Sequence, residues 1–78
     1  AWRERREAWR LFIRDHPQSP RLDEARVRVI EAGIEAWRAA GEGEDLSRAR
    51  DDAEAYLARD DARQKERVRR ALEDVGER

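Results

Sequence analysis

The sequence predicts an all-α fold of four antiparallel helices, and three observations carry that prediction. Apolar residues recur at helical spacing in four blocks. His16-Pro17-Gln18-Ser19-Pro20, Gly41-Glu42-Gly43-Glu44 and Asp60-Asp61 separate the blocks with residues that stop one helix or start the next. Ala, Glu, Arg, Leu and Lys make up 47 of the 78 residues, a majority typical of helices. Leu, Ile, Val and Phe reach only about a sixth of the chain, a level at which chains of high net charge stay disordered. The net charge is −1, so that route to disorder is closed.

The first helix is expected over about residues 1–15, with Trp2, Trp9, Phe12 and Ile13 as its apolar stripe. It stops at His16, because a residue that precedes proline is pushed out of the α region. Ser19 reads as the N-cap of the second helix and Pro20 as its first residue. Asp23 and Glu24 follow in the first turn, where the helix dipole favours carboxylates.

The second helix is expected over about residues 20–40, with Gly41 just past its end. At 100° per residue, Leu22, Ala25, Val29, Ala32 and Ala36 line one face. Val27, Ile30, Ile34 and Trp37 line a roughly opposite one, and Glu24, Arg28, Glu31, Glu35 and Arg38 form a polar strip between them. Two apolar faces and one wet strip describe a helix sandwiched between neighbours. The small-residue face admits a close backbone, and the large-residue face fills a wider gap.

Asp45 is placed to cap a third helix over about residues 46–59, with Leu46, Ala49, Ala53, Tyr56 and Leu57 inward. Asp61 and Gln64 have the spacing of a capping box for a fourth helix over about residues 62–75. Val68, Ala71, Leu72 and Val75 point inward there, and Gly76 follows the last turn. Large apolar side chains thin out after Leu46, so the C-terminal half carries the weaker core.

The chain repeats itself weakly. Residues 9–15 are echoed by residues 53–59 at an offset of 44, and Ala25, Val29 and Ala32 by Val68, Leu72 and Val75 at an offset of 43. Helices one and two thus correspond to helices three and four, a period that fits a helical repeat array. The residues that carry this pattern are Trp9, Phe12, Ile13, His16, Pro17, Ser19 and Ala25, then Leu46, Ala49, Tyr56 and Leu57. Over about residues 8–57 they resemble tetratricopeptide-type (TPR-like) repeats, in particular those of bacterial envelope lipoproteins and cell-envelope coordinators. The resemblance implies that helix one is the second helix of one repeat, helices two and three a complete repeat, and helix four a degenerate or capping one. It also implies a protein-binding scaffold and a bacterial periplasmic, envelope or cytoplasmic setting.

Reactive chemistry finds little support in the residues. There is no Cys for disulfides or thiolate chemistry. His16 is the only His, has no partner set for metal or catalysis, and reads as a turn residue. Asp51, Asp52, Glu54, Asp60 and Asp61 have no metal-loop spacing and read as a solvated acidic face. Gly41-x-Gly43 lacks the strand and the rest of a phosphate-binding fingerprint. No catalytic group, cofactor or metal is therefore expected.

Binding is the class that remains. Trp2, Arg6, Trp9, Ile34 and Trp37 are the candidate partner-binding residues, since Trp and Arg dominate interaction hot spots. The partner is expected to be a protein or peptide. Alternatives are a structural role, with the helices stacked on adjacent repeats or on a second copy, and weak nucleic-acid binding through basic residues 62–71. That last reading is disfavoured, because the net +4 of this stretch follows a net −5 over residues 42–61 and no aromatics interleave it. Pairing between helices three and four is expected to absorb these charges. No apolar run reaches membrane-spanning length. The chain begins at Ala1, which suggests a domain cut from a longer protein.

Overall fold

Four apolar stripes on a chain this short can be buried only if the helices pack on one another. The computed structural model, which describes residues 1–76, shows that arrangement. α1 spans Trp2–Asp15, α2 Leu22–Ala40, α3 Gly43–Leu57 and α4 Lys65–Gly76, and no strand occurs among the described residues. Ion pairs fix the relative directions. Arg3 and Arg10 of α1 meet Asp45 and Asp52 of α3, so these helices run parallel. Asp23 and then Glu31 of α2 meet Gln64 and then Arg67 at the start of α4, so α2 and α4 run parallel to each other. Chain order then makes the bundle alternate up and down.

The helix ends follow the sequence in part. His16 closes α1, its N–H donating to the Phe12 carbonyl at 2.9 Å. Gly41 closes α2 at φ 72°, its N–H donating to the Trp37 carbonyl at 2.7 Å, a left-handed end that glycine adopts without strain. The three expected side-chain caps are not made. Ser19 Oγ accepts from the Arg21 N–H at 3.1 Å, closing a turn before the helix, and α2 begins at Leu22 instead of Pro20. α3 begins at Gly43, which places Asp45 inside the first turn, where two arginines claim its carboxylate. α4 begins at Lys65, three residues later than expected, because Asp61 pairs with Arg59 and the Gln64 amide reaches Asp23 and Glu24. Gly76 is a residue of α4 itself, not one beyond it.

α2 is the centre of the bundle. Its buried residues are Ala25, Val27, Val29, Ile30, Ala32, Gly33, Ile34 and Ala36, drawn from both faces read from the sequence plus one glycine, while Leu22 and Trp37 at its two ends are half-buried. Val27, Ile30 and Ile34 join Ala49, Ala53 and Tyr56 of α3 and Val68 and Val75 of α4 in one core cluster. Each fully buried large side chain there contributes about 1.5–3 kcal/mol. The small-residue face lies outside that cluster, on the flank that α1 covers. Trp9 and Ala32 share one cavity on the α4 side of this contact, and Ile13 and Val29 another on its α3 side.

Gly33 faces α3 and the Arg6 side chain of α1. A Cβ at this position would stand 3.1 Å from the Ala49 Cβ and 3.8 Å from the Arg6 Cδ. A glycine inside a helix costs about 1 kcal/mol relative to alanine. Here it lets α2 approach α3 while the Arg6 side chain passes between them and α1. Gly33→Val is expected to destabilise the fold by about 1–3 kcal/mol through overpacking, read as a lower urea midpoint by circular dichroism. An unchanged midpoint would mean that α2 and α3 do not meet so closely.

Candidate functional site

α1 divides its surface into two strips by helical spacing. Trp2, Arg5 and Trp9 follow one another at i, i+3 and i+7 along one strip, and Arg3, Arg6 and Arg10 along the next. The arginine strip faces α3. Arg3 Nη2 donates to Asp45 at 2.7 Å, Arg6 Nη1 to the same carboxylate at 3.1 Å, and Arg10 Nη2 to Asp52 at 2.8 Å. Asp45 and Asp52 repeat the seven-residue step of Arg3 and Arg10, so the two parallel helices are held in register.

The tryptophan strip faces the other way and forms one wall of a groove of about 420 Å³. The opposite wall is Ala71 and Asp74 of α4, and the floor is α2. The polar strip of α2 supplies most of that floor through Arg28, Glu31, Glu35 and Arg38, with Ala32 and Ile34 beside it. Trp2 and Trp9 are half-buried, so each rests on the fold and still presents part of its ring. The Arg5 guanidinium lies 4.6 Å from the centre of the Trp2 ring, within cation–π reach. Phe12 meets Trp9 edge-on at 6.1 Å, and His16 stacks at a tilt on Phe12 at 4.9 Å.

The charges of the floor are largely spoken for. Arg28 donates to Glu24 at 2.6 Å and Arg38 to Glu35 at 2.7 Å. Arg67 of α4 donates to Glu31 through two nitrogens, at 2.6 and 2.9 Å, and also reaches Glu24. The one basic residue of the fourth helix that pairs with another helix among the described residues, Arg67, thus does so on α2, not on α3 as the sequence suggested. The reason is placement: α4 lies alongside the polar strip of α2, where the carboxylates are. Glu66 takes Arg69 and Arg70 at 3.8 and 3.9 Å within the helix.

Of the five residues singled out from the sequence, Trp2, Trp9 and Ile34 line this groove together. Ile34 does so from a buried position in the core cluster. Arg6 is only 7% exposed and bound to Asp45, so its charge serves the α1–α3 contact. Trp37 packs half-buried against the core cluster from the end of α2 and does not line the groove. His16 is exposed at the far end of α1, and no group of three or more metal-ligating side chains gathers among the described residues. No helix of the described residues is long and apolar enough to cross a membrane. The acidic face read from the sequence is exposed at Asp51, Glu54, Asp60 and Asp61, the last paired with Arg59, while half-buried Asp52 takes Arg10.

A second polar cluster fixes the entry to α4. Asp23 accepts from the Tyr56 hydroxyl at 2.8 Å, the Arg63 N–H at 3.0 Å and the Gln64 side-chain amide at 3.1 Å. The Tyr56 oxygen in turn accepts from the Gln64 N–H at 2.9 Å. Burial raises the Asp23 carboxyl, but these three donors outweigh it and leave its pKa below the ordinary value. The Tyr56 hydroxyl is raised, first by burial and then by Asp23. The Arg3 guanidinium is the main cause of a lowered Asp45, with Arg6 adding to it against burial. Arg28 and Gln64 lower Glu24.

Comparison with known protein families, curated proteins and solved structures finds no match for this chain. The groove is therefore read from its own geometry.

Carboxyls whose folded pKa is lowered stabilise the fold fully above their unfolded values of about 4. They lose that contribution as the pH falls through the lower folded values. The urea midpoint is accordingly expected to fall from pH 7 to pH 3, and the difference to shrink in Asp23→Asn and Asp45→Asn. An acid limb unchanged in both variants would show that these carboxylates do not carry it.

Proposed function

We propose that the domain is a non-enzymatic protein-interaction module of TPR-like type, whose α1–α2–α4 groove takes a peptide or a partner helix. The observation that carries this reading is the pair of half-buried tryptophans on the wall of a groove whose floor is a strip of paired charges. Trp is the side chain most enriched at interaction hot spots, and ion pairs around it supply a polar rim. A ligand with apolar residues one or two turns apart would meet Trp2 and Trp9, which are themselves two turns apart. The order of the helices, with α2 covered on both flanks, supports the repeat-like reading because a helix inside an array has two neighbours.

Peptides selected from a random display library on the folded domain test this. Bound peptides are expected to shift the indole N–H signals of Trp2 and Trp9 in NMR spectra. Trp2→Ala and Trp9→Ala are each expected to weaken binding about tenfold or more, the loss of a hot spot, with the helical spectrum retained. Failure to select any peptide, or selected peptides that leave both indoles unmoved, would contradict the proposal.

A second reading has one observation in its favour. Leu11 is the one large hydrophobic side chain classed as exposed among the described residues, and it lies on α1 beside half-buried Phe12. α1 would then stack on a neighbouring helix or a second copy. Light scattering separates the two: a mass that rises with concentration and falls back in Leu11→Glu supports stacking, and a constant monomer mass counts against self-association.

A further inference from the structure

A second cavity, of about 220 Å³, opens on the other flank of α2, between α1 and α3. Its apolar lining is Ile13, Val29, Ala55 and Tyr56. Arg10, Arg26 and Arg59 reach it from α1, α2 and the turn after α3, with Asp52 as its single carboxylate. Asp52 is engaged by Arg10 Nη2 at 2.8 Å, and Arg59 holds Asp61 at 2.9 and 3.0 Å, away from the pocket's own carboxylate. Arg26 is half-buried and forms no ion pair among the described residues; its charge acts on Asp61 at a distance. Arg10 Nε is buried and finds no acceptor. A buried donor left in that state costs about 1–3 kcal/mol. With Arg10 paired to Asp52 and Arg59 to Asp61, the pocket keeps, among the described residues, one cation without an ion pair, Arg26, and one donor without an acceptor, Arg10 Nε, over an apolar lining.

We propose that this pocket binds a peptide carboxylate carried on an apolar body, with Arg26 as the main anchor and Arg10 as the second. A carboxylate offers two acceptor oxygens in the plane that a guanidinium fork matches. The methyl groups of Val29 and Ala55 and the side chain of Ile13 would take the apolar part. The volume lies below the roughly 300–1,000 Å³ of small-molecule sites, so the guest is one side chain or one chain end. A phosphate dianion suits the site less, because Asp52 stands in the rim and would repel the second charge. The pocket lies across α2 from the tryptophan groove, so the two sites stand or fall separately.

NMR titration of the intact domain tests the proposal with three probes: N-acetyl-leucine for a chain-terminal carboxylate, N-acetyl-glutamate α-amide for a side-chain carboxylate, and N-acetyl-leucinamide as the neutral control. At least one acid is expected to shift the Arg26 Nε–H and the Val29 and Ala55 methyl signals together and saturably, and the control to shift none. The acid that binds more tightly identifies the source of the carboxylate. Arg26→Gln is expected to weaken binding about tenfold or more, the loss of a charge-assisted hydrogen bond. Ala55→Leu, at an exposed position, is expected to abolish binding by filling the pocket while the fold is kept. Binding of neither acid, equal shifts with the neutral control, or full binding retained in both variants would overturn the proposal. So would inorganic phosphate that moves Arg26 as strongly while the methyl signals stay still.

Discussion

α2 must bury two sides at once, and that constraint places every other helix. A single-faced helix could be satisfied by one partner. α2 carries large residues at Val27, Ile30 and Ile34 and small ones at Ala25, Ala32 and Ala36, so it needs a partner on each flank. α3 and α4 close the large-residue face, and α1 closes the small-residue face. Gly33 makes the two sets of contacts compatible, because the missing Cβ leaves room for Ala49 on one side and the Arg6 stem on the other. The groove is a consequence. Where α1 and α4 both lean on α2 without meeting, the polar strip of α2 remains as an open floor.

Charge sets the register of this small bundle more than it sets its strength. Exposed ion pairs contribute about 0–1 kcal/mol each, and several of those here are half-exposed. Their value lies in position. The seven-residue steps of Arg3 and Arg10 on one helix and of Asp45 and Asp52 on the other admit one alignment of α1 on α3. The Asp23–Tyr56–Gln64 cluster does the same where α4 enters. Asp45 and Arg6 differ from the rest because they are buried, so removal of Asp45 would strand the Arg6 charge beside the core, while Asp45 would keep Arg3 if Arg6 were removed.

The helices and their inward faces were legible because periodicity needs no knowledge of the partner. The two-sided character of α2 and the stripes of α3 and α4 are as the spacing implies. Helix starts were not legible. Ser19, Asp45 and Asp61 have the right chemistry for caps, but Ser19 spends its hydroxyl on a turn that closes before α2, and arginine side chains take the carboxylates of Asp45 and Asp61. Gly33 carried a weak signal, a lone glycine amid a strong helical pattern, and its meaning depends on what lies opposite. Of the five candidate residues, Trp2, Trp9 and Ile34 line one groove, and Arg6 and Trp37 do not. Arg6 could not be placed from sequence, since an arginine on an amphipathic helix reads as solvated unless its buried carboxylate is known.

A sandwiched α2 is the claim on which the fold, the groove and the second pocket all rest. Native-state hydrogen exchange measures it directly. Amides of residues 27–36 are expected to exchange slowest in the domain and with a common free energy equal to that of global unfolding, because opening them requires loss of α1, α3 and α4 together. Exchange of these amides through a local opening easier than that of α1 would contradict the account.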